Sequence, residues 1–168
     1  ETAGIAVQAA LTGHLVLSSV HANSAFSVLE RFTYMDVDPA SFVEALNGVV
    51  AQRLVRRICP DCGVDATPDP DIAHLAQLPE TQLKQGHYRI GKGCEACRHT
   101  GYRGRLALAE VLTLTDSIKE GLLNRSSAAT LRELAREAGH VFIRDIALAH
   151  AAQGETTLKE VHRVISLY

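Results

Sequence analysis

The chain has 168 residues, of which 46% are hydrophobic and 21% are charged, and its formal net charge is −2 at pH 7. This length accommodates one full core or two small domains, and the hydrophobic fraction excludes a disordered tail. A chain near neutrality has no positive field to hold a phosphate backbone, so nucleic acid is not an expected partner. No stretch approaches the roughly 20 apolar residues of a membrane span and no export signal opens the chain, which predicts a cytoplasmic protein without a transmembrane segment.

The first residues, Glu1-Thr2-Ala3-Gly4, lack an initiator Met and lead directly into a helical pattern, so we expect a part of a longer protein. A short helix is predicted over residues 2–11, ending at Gly13. Residues 15–20 then form a brief apolar run without strict alternation, as in a strand that is covered on both faces of a parallel sheet. Helix, tight turn and buried strand together predict an α/β fold.

Two more helices are predicted before the first cysteine. One covers residues 24–36. The other begins with Asp38 as the N-cap and Pro39 as the first helical residue, and it is expected to reach about Arg57 and to include Gln52-Arg53. In this helix Arg53 would lie on the apolar face and would need a partner. That partner is either a core or interdomain carboxylate, or a bound phosphate or a neighbouring subunit.

The composition changes abruptly after Arg57, where Cys, Pro, Asp and Gly become frequent. Residues 59–104 contain too few large apolar side chains to be stable by burial alone, a situation in which small modules depend on a metal. A strand is predicted over residues 106–114, followed by four short helices, the last opening with a capping box between Thr157 and Glu160. The predicted domains are residues 1–57, 58–105 and 106–168.

Two Cys-x-x-Cys turns provide the clearest chemical signal in the chain, at Cys59, Cys62, Cys94 and Cys97. Each turn can offer two thiolates to one ion, and four thiolates satisfy tetrahedral Zn²⁺. Two disulfides and a redox-active pair are the alternatives, and a reducing cytoplasm disfavours the disulfides. With all four ligands from cysteine no position stays open for water, so the predicted zinc site is structural.

A second motif in this region does not support nucleotide binding. Residues 86–92 match the first seven positions of a phosphate-binding P-loop, but Gly93 occupies the eighth, the place of the Ser or Thr that coordinates Mg²⁺. A P-loop also needs a buried strand before it and a helix after it. We therefore predict that these glycines form turns that lead into the metal site.

His14 and His21 flank the predicted strand 15–20. At about 3.3 Å per residue they would be about 23 Å apart, too far to share a metal. His21, with Asn23 just beyond it, would lie at the carboxyl end of the strand, the edge at which open parallel sheets bind ligands. It is therefore the stronger candidate for a functional role, with a structural role as the alternative. The remaining histidines are predicted to be solvated.

Three groups of motifs resemble one family. The first group resembles the stretch that follows the Walker B segment in secretion ATPases, and it consists of Glu1-Thr2-Ala3, Leu11-Thr12-Gly13-His14-Leu15-Val16-Leu17-Ser18 and His21-Ala22-Asn23. The second group resembles the tetracysteine region of type II secretion and type IV pilus assembly ATPases. It consists of Gln52-Arg53-Leu54-Val55-Arg56, Cys59-Pro60-Asp61-Cys62, Gly93-Cys94-Glu95-Ala96-Cys97 and Thr100-Gly101-Tyr102-Arg103-Gly104-Arg105. Gly154-Glu155-Thr156-Thr157-Leu158-Lys159-Glu160-Val161 resembles the ending of that family.

The resemblance implies a homo-hexameric motor of RecA-type subunits that uses ATP and Mg²⁺ to assemble a pseudopilus or pilus. Such a motor works on the cytoplasmic side of the inner membrane, through the cytoplasmic domains of inner-membrane secretion proteins. His14 and His21 would form the family's "His box", with His21 near the terminal phosphate, and Arg53 is a further candidate nucleotide contact. The Walker A and Walker B segments would lie before Glu1, so the chain alone is predicted not to hydrolyse ATP.

The prediction is therefore the C-terminal part of a type II secretion ATPase, with a type IV pilus assembly ATPase as the alternative within the family. The similarity of residues 46–52 to the secretion branch favours the first. An interpretation of another class is a free-standing zinc adaptor that binds protein or nucleic acid through Arg98, Arg103 and Arg105. A salt-sensitive gel shift with short DNA or RNA would support the adaptor.

Overall fold

A computed structural model describes residues 2–22, 24–33 and 37–165. The helices are α1 Thr2–Leu11, α2 Ala25–Thr33, α3 Pro39–Ala45, α4 Pro70–Leu75, α5 Glu80–Gln85, α6 Asp116–Leu123, α7 Ala128–Glu137, α8 Ile143–Ala152 and α9 Leu158–Val164, with a short 3-10 helix at Glu95–Cys97. The strands are β1 Gly48–Ile58, β2 Gly63–Asp65, β3 Arg89–Gly91 and β4 Tyr102–Thr113. The predicted mixed α/β composition is confirmed.

The chain divides into two compact units whose boundaries fall within β1 and β4. Unit 1 contains residues 1–51 and 110–141, and unit 2 contains residues 52–109 and 142–168. Strand β1 is the neighbour of β4, and β2 is the neighbour of β3. The Leu114 N–H beyond β4 donates to Asn47 O before β1, and the Cys59 N–H beyond β1 donates to Gly101 O before β4. These two bonds show that β1 and β4 run antiparallel.

In unit 1, α1 packs against α3, α3 against α6, and α7 against both α2 and α6. The start of α3 follows the sequence prediction, because the Asp38 carboxylate accepts the Ser41 N–H at 2.8 Å and Pro39 occupies the first turn. This capping also holds the pKa of Asp38 below its ordinary value. The largest buried side chains of α2 are Phe26 and Leu29.

The third predicted helix is wrong beyond Ala45. Residues 48–58 form strand β1, so Gln52 and Arg53 lie in a strand and not in a helix. Val49 and Val55 are buried while Val50 is 68% exposed, a spacing that suits the two faces of a strand. Strand β1 contains the β-branched residues Val49, Val50, Val55 and Ile58, and the Asn47-Gly48 break separates them from the capped helix.

The buried strand predicted over residues 15–20 is also wrong. This segment has no regular secondary structure, and Leu15 and Leu17 are 84% and 86% exposed. A strand covered on both faces requires neighbouring strands that complete its hydrogen bonds. Within the described ranges the strands pair only as β1 with β4 and β2 with β3, so none lies beside this run.

Unit 2 has a core that includes part of the cysteine-rich region. Its centre lies among β1, β4, α8 and α9, with these residues buried: Val55, Leu108, Ala147, Ala151, Leu158 and Val161. Helices α4 and α5, which the sequence analysis did not predict, contribute Ile72, Ala76 and Leu83 to this core. The Arg144 guanidinium donates to Ala76 O at 2.6 Å and connects the end of α4 to α8. Residues 59–104 are therefore stabilised by burial against the C-terminal helices as well as by any metal.

The predicted C-terminal strand and four helices are confirmed, with β4 beginning four residues earlier than expected. Thr115, Ser127 and Thr157 cap α6, α7 and α9 through their hydroxyl groups. Gly139 and Gly154 follow α7 and α8 with φ of 82° and 72°, the left-handed conformation that commonly ends helices. No helix among the described residues is long and apolar enough to span a membrane.

Candidate metal centre

The four cysteine sulfurs converge as the spacing predicts, with every Sγ within 4.8 Å of the others. The Cys59–Cys94, Cys62–Cys97 and Cys94–Cys97 Sγ separations are 3.9, 3.8 and 3.7 Å. A tetrahedral ion with Zn–S bonds of about 2.3 Å requires Sγ separations of about 3.8 Å. A disulfide requires about 2.05 Å, and all four cysteines are free. The donor set and its geometry therefore fit one zinc ion.

The surrounding backbone brings the two Cys-x-x-Cys turns together. Strands β2 and β3 pair antiparallel, with Gly63 opposite Gly91, so Cys62 and Cys94 lie at the same end of this small sheet. The Lys92 N–H donates to Cys62 O at 3.1 Å. The positions of the sulfurs thus depend on strand pairing between residues about 30 positions apart in the sequence.

Backbone N–H groups also point at the sulfurs. The N–H groups of Cys94 and Gly101 donate to Cys97 Sγ at 3.2 and 3.3 Å, and that of Gly93 donates to Cys62 Sγ at 3.3 Å. Burial raises the pKa of Cys97, but the two N–H bonds together with side-chain hydrogen bonds from Cys94 and Cys62 outweigh it and lower the pKa to about 6. Burial dominates at Cys62 and raises its pKa to about 12. Thiols of both kinds bind a metal as thiolates, so binding releases protons.

Gly91 and Gly101 make the closest backbone approach beside the metal centre. A Cβ on Gly91 would overlap the Gly101 carbonyl oxygen, and Gly101 has φ of 77°. Replacing Gly91 with alanine is therefore expected to lower the free energy of unfolding by about 3 kcal/mol, because the two segments must separate. Chemical denaturation measures this loss.

The matched control is Gly4→Ala in α1, where an added Cβ meets no atom within 4 Å. This change is expected to leave stability unchanged or to raise it by up to about 1 kcal/mol. Equal stability of the Gly91→Ala and Gly4→Ala variants would contradict the close approach.

A second polar cluster in unit 2 connects two of the motifs. The Glu160 carboxylate is buried and accepts from Arg56 Nε and Nη2 at 2.9 and 2.7 Å, and from Arg163 Nε and Nη2 at 2.8 and 2.6 Å. The Arg56 backbone N–H donates to the same carboxylate at 3.0 Å. Burial opposes ionisation, but these bonds outweigh it and hold the pKa of Glu160 at about 2.

The predicted capping box at Thr157 is only half formed. Its hydroxyl accepts the Glu160 N–H at 3.0 Å, but the Glu160 carboxylate turns to the arginines. The neighbouring Thr156 hydroxyl donates to Arg56 O at 2.8 Å, and the Arg56 guanidinium lies 4.1 Å from the centre of the Tyr102 ring. Residues 156–160 therefore hold strand β1 at the position where it enters the first cysteine turn.

Unit 1 contains a buried pair that the sequence analysis did not identify. His140 Nε2 lies 2.8 Å from Glu110 Oε1, and the two side chains are 5% and 2% exposed. The prediction that His140 is solvated is wrong. Glu110 occupies an inward position of β4 between Leu108 and Leu112, so strict alternation along this strand would have identified it.

Three residues are predicted nucleotide contacts: His14, His21 and Arg53. His14 is exposed and its Nδ1 lies 3.1 Å from the Thr12 hydroxyl, and His21 is exposed and accepts from Arg31 Nη1 through its carbonyl oxygen at 3.1 Å. Among the described residues the structure shows no hydrogen bond between the two histidines. Arg53 lies in β1, half-buried, in unit 2. Asn23 lies outside the described residues.

Comparison with known proteins places these motifs in one family. The model of the family described as "Type II/IV secretion system protein" matches residues 1–163, and the chain therefore belongs to that family. It is 43% identical to the type IV pilus assembly ATPase PilB of Thermus thermophilus, over 96% of this chain and 18% of the relative. It is 40% identical to the type II secretion system ATPase E of Vibrio cholerae, over 98% of this chain and 32% of the relative.

A further relative, the type II secretion system protein E of Aeromonas hydrophila, is 39% identical over 98% of this chain and 32% of its own length. The chain thus spans between about a fifth and a third of the length of these relatives. The predicted membership in the secretion ATPase family is confirmed.

Proposed function

We propose that this chain is the C-terminal part of a cytoplasmic, hexameric ATPase that powers type II protein secretion by assembling a pseudopilus. The observation that carries the proposal is the family match over residues 1–163, which covers nearly the whole chain. One of the relatives is named as a type II secretion system ATPase. The motor would bind ATP and Mg²⁺ with segments beyond this chain, and it would contact cytoplasmic domains of inner-membrane secretion proteins.

In this proposal residues 1–57 form the second half of a RecA-type core, residues 58–105 the zinc subdomain and residues 106–168 the strand and helical domain. The exposed apolar run 15–20 supports the first assignment. Leu15 and Leu17 are more than four-fifths exposed, and a RecA-type core would supply the neighbouring strands from another part of the longer protein.

Zinc would serve the motor as a structural ion. The four sulfurs fill a tetrahedral coordination shell and leave no position for water or substrate. When bound, the ion supplies folding energy to the module that lies between β1 and β4. The Glu160 carboxylate would then hold the end of β1 through Arg56, and the Gly91–Gly101 contact would hold the start of β4.

His21 is the proposed nucleotide contact, with His14 and Arg53 as secondary candidates. In the full-length protein, replacing His21 with alanine is expected to lower kcat for ATP hydrolysis about 100-fold, because a hydrogen-bond donor to the developing phosphate charge is lost. The purified chain 1–168 is expected to have no ATPase activity.

The control for this experiment is His74→Ala, which removes an exposed histidine on α4. Its kcat is expected to equal that of the unsubstituted protein. Activity of the chain 1–168 alone would overturn the proposal that essential segments lie elsewhere, and an unchanged kcat for His21→Ala would overturn the role of His21.

A type IV pilus assembly ATPase is the second candidate. Relatives with that name are 43%, 40% and 42% identical to this chain, and the type II secretion relatives are 39–40% identical. Deletion of the gene in its host distinguishes the two functions. Loss of protein export with intact pili would support secretion, and loss of pili with intact export would support pilus assembly.

A further inference from the structure

The segment around the second cysteine turn carries an excess of positive charge in a chain that is negative overall. Residues 89–105 contain five cationic side chains and one carboxylate, whereas the whole chain has a formal net charge of −2. We define the basic knuckle surface as the exposed side chains Arg57, Lys92, Arg98, Arg103 and Arg105. We propose that this surface binds an acidic segment of a partner protein, which is a function that ATP hydrolysis does not require.

Most of these cations have no carboxylate partner in the part of the chain that the structure describes. Arg103 forms an ion pair with Asp61 at 3.0 Å, but within the described ranges no carboxylate lies at ion-pair distance from Arg57, Lys92, Arg98 or Arg105. By contrast, Arg56 and Arg163 are both bound to Glu160. The four unpaired side chains are therefore available to an external anion.

These cationic side chains are not hydrogen-bonded to the sulfurs of the metal centre. One divalent ion with four thiolates has a net charge of −2, which nearby cations could offset. However, the described hydrogen bonds to the sulfurs come from the backbone N–H groups of Gly93, Cys94 and Gly101, and none comes from a guanidinium. The arginines thus remain exposed to solvent beside the metal centre.

Arg98 presents its side chain from a backbone turn that hydrogen bonds hold in place. Arg98 and His99 have φ of 52° and 60°, a left-handed conformation that glycine adopts with less strain. The Arg98 N–H donates to Glu95 O at 2.9 Å and the His99 N–H to Cys94 O at 2.8 Å, so the turn is fixed. An arginine here costs local stability but presents a guanidinium on a rigid backbone, which reduces the entropy lost on binding.

Guanidinium groups favour planar anions, which are carboxylates or phosphates. Single-stranded nucleic acid also requires aromatic rings on which bases stack. Here one face of the Tyr102 ring is covered by Arg56, and Tyr88 is 8% exposed. Between the cations Ala96 and Thr100 are small, and the side chain of Ile90, which is 47% exposed, is less than the continuous apolar face with which a surface helix enters a membrane. These observations favour the carboxylates of an acidic protein segment.

The test measures binding of a fluorescein-labelled peptide of twelve alternating Glu and Asp residues to the 168-residue chain by fluorescence anisotropy. Binding is expected at 50 mM NaCl and should weaken at 300 mM. The Arg98→Gly and Arg105→Gln variants are expected to raise Kd about three- to fivefold each. Arg98→Gly should keep or raise Tm, because glycine relieves the left-handed strain, so weaker binding cannot reflect misfolding.

The matched control is Arg125→Gly. Arg125 is an exposed arginine with φ of 53° in the turn after α6, outside the basic knuckle surface. The Kd of this variant for the peptide should stay within about twofold of the value for the unsubstituted chain. The proposal is overturned if the peptide does not bind, or if Arg98→Gly and Arg125→Gly weaken binding equally. Tighter, Arg98-dependent binding to phosphatidylglycerol vesicles or to a dT20 strand would overturn the assignment of an acidic protein partner.

Discussion

Loss of the metal is expected to lower the melting temperature of this chain by about 10 °C or more. Structural zinc sites contribute about 10–16 kcal/mol in small peptides at pH 7, and even about 5 kcal/mol corresponds to such a shift in a chain of this size. The effect is expected because the four cysteines bind the ion as thiolates, and four clustered thiolates that lose the ion repel one another or take up protons, two of them at the buried positions Cys59 and Cys97. Thermal unfolding followed by circular dichroism, with and without a chelator, measures the shift.

The Cys62→Ser variant provides the control for this experiment. It should melt at the lower temperature of the chelated protein, and the chelator should then produce no further decrease, because both changes remove the same ion. The core of unit 2 also contains buried apolar residues from α8 and α9, so partial helical structure should persist. If the chelator lowered the melting temperature of the Cys62→Ser variant as much as that of the unsubstituted chain, the metal would have to bind at another site.

The second large effect is expected from Glu160→Gln, which should lower the free energy of unfolding by about 2–3 kcal/mol at pH 7. The substitution leaves the Arg56 and Arg163 guanidinium groups without their shared carboxylate. These arginines are 44% and 58% exposed and can reach water, so the loss should be smaller than the roughly 3–5 kcal/mol of a fully buried pair. Urea denaturation measures it.

This prediction includes a specific pH dependence. The Glu160 carboxyl has a pKa of about 2 in the folded protein against an ordinary value of 4.5. A lowered pKa stabilises the folded state above the unfolded value, and this stabilisation is lost as the pH falls through the folded value. The difference in stability between the two proteins should therefore be full above about pH 4.5 and should shrink toward pH 2. Acid release of zinc affects both proteins and cancels in this difference.

The matched control is Glu133→Gln, the same chemical change in an exposed pair with Arg136 on α7. It should change stability by less than about 0.5 kcal/mol at any pH, because solvent screens this pair. The role assigned to the buried carboxylate would be contradicted if Glu160→Gln lowered the free energy of unfolding no more than Glu133→Gln does. It would also be contradicted if the stability difference between Glu160→Gln and the unsubstituted chain did not change with pH.

The metal centre could be predicted from the sequence because its chemistry is local. Each Cys-x-x-Cys turn holds two sulfurs close together whatever the rest of the chain does, and only one tetrahedral ion satisfies both turns. The Glu160 cluster could not be predicted in this way. Arg56 and Glu160 are 104 positions apart, and the capping motif at Thr157 gave Glu160 a local partner that the fold replaces with a distant one.

The helix predicted over residues 2–11 matches α1, whereas the helix that begins at Asp38 and Pro39 was predicted with the correct start and the wrong length. Asp38 and Pro39 correctly predict the start of α3, and the same signal at Asp69 and Pro70 begins α4, which the Pro-rich composition obscured. The extension of α3 through β1 failed because a run of Val and Leu satisfies either periodicity. Only pairing with β4 decides for the strand, and that pairing is a long-range property.

Metal analysis of the purified chain tests the central claim most directly. Elemental analysis combined with thiol titration in the native state should find about one zinc per chain and no reactive thiols, as a filled four-thiolate site requires. Less than about 0.2 zinc per chain together with four reactive thiols, in protein that retains its melting transition, would contradict the account, because the module would then be stable without the ion.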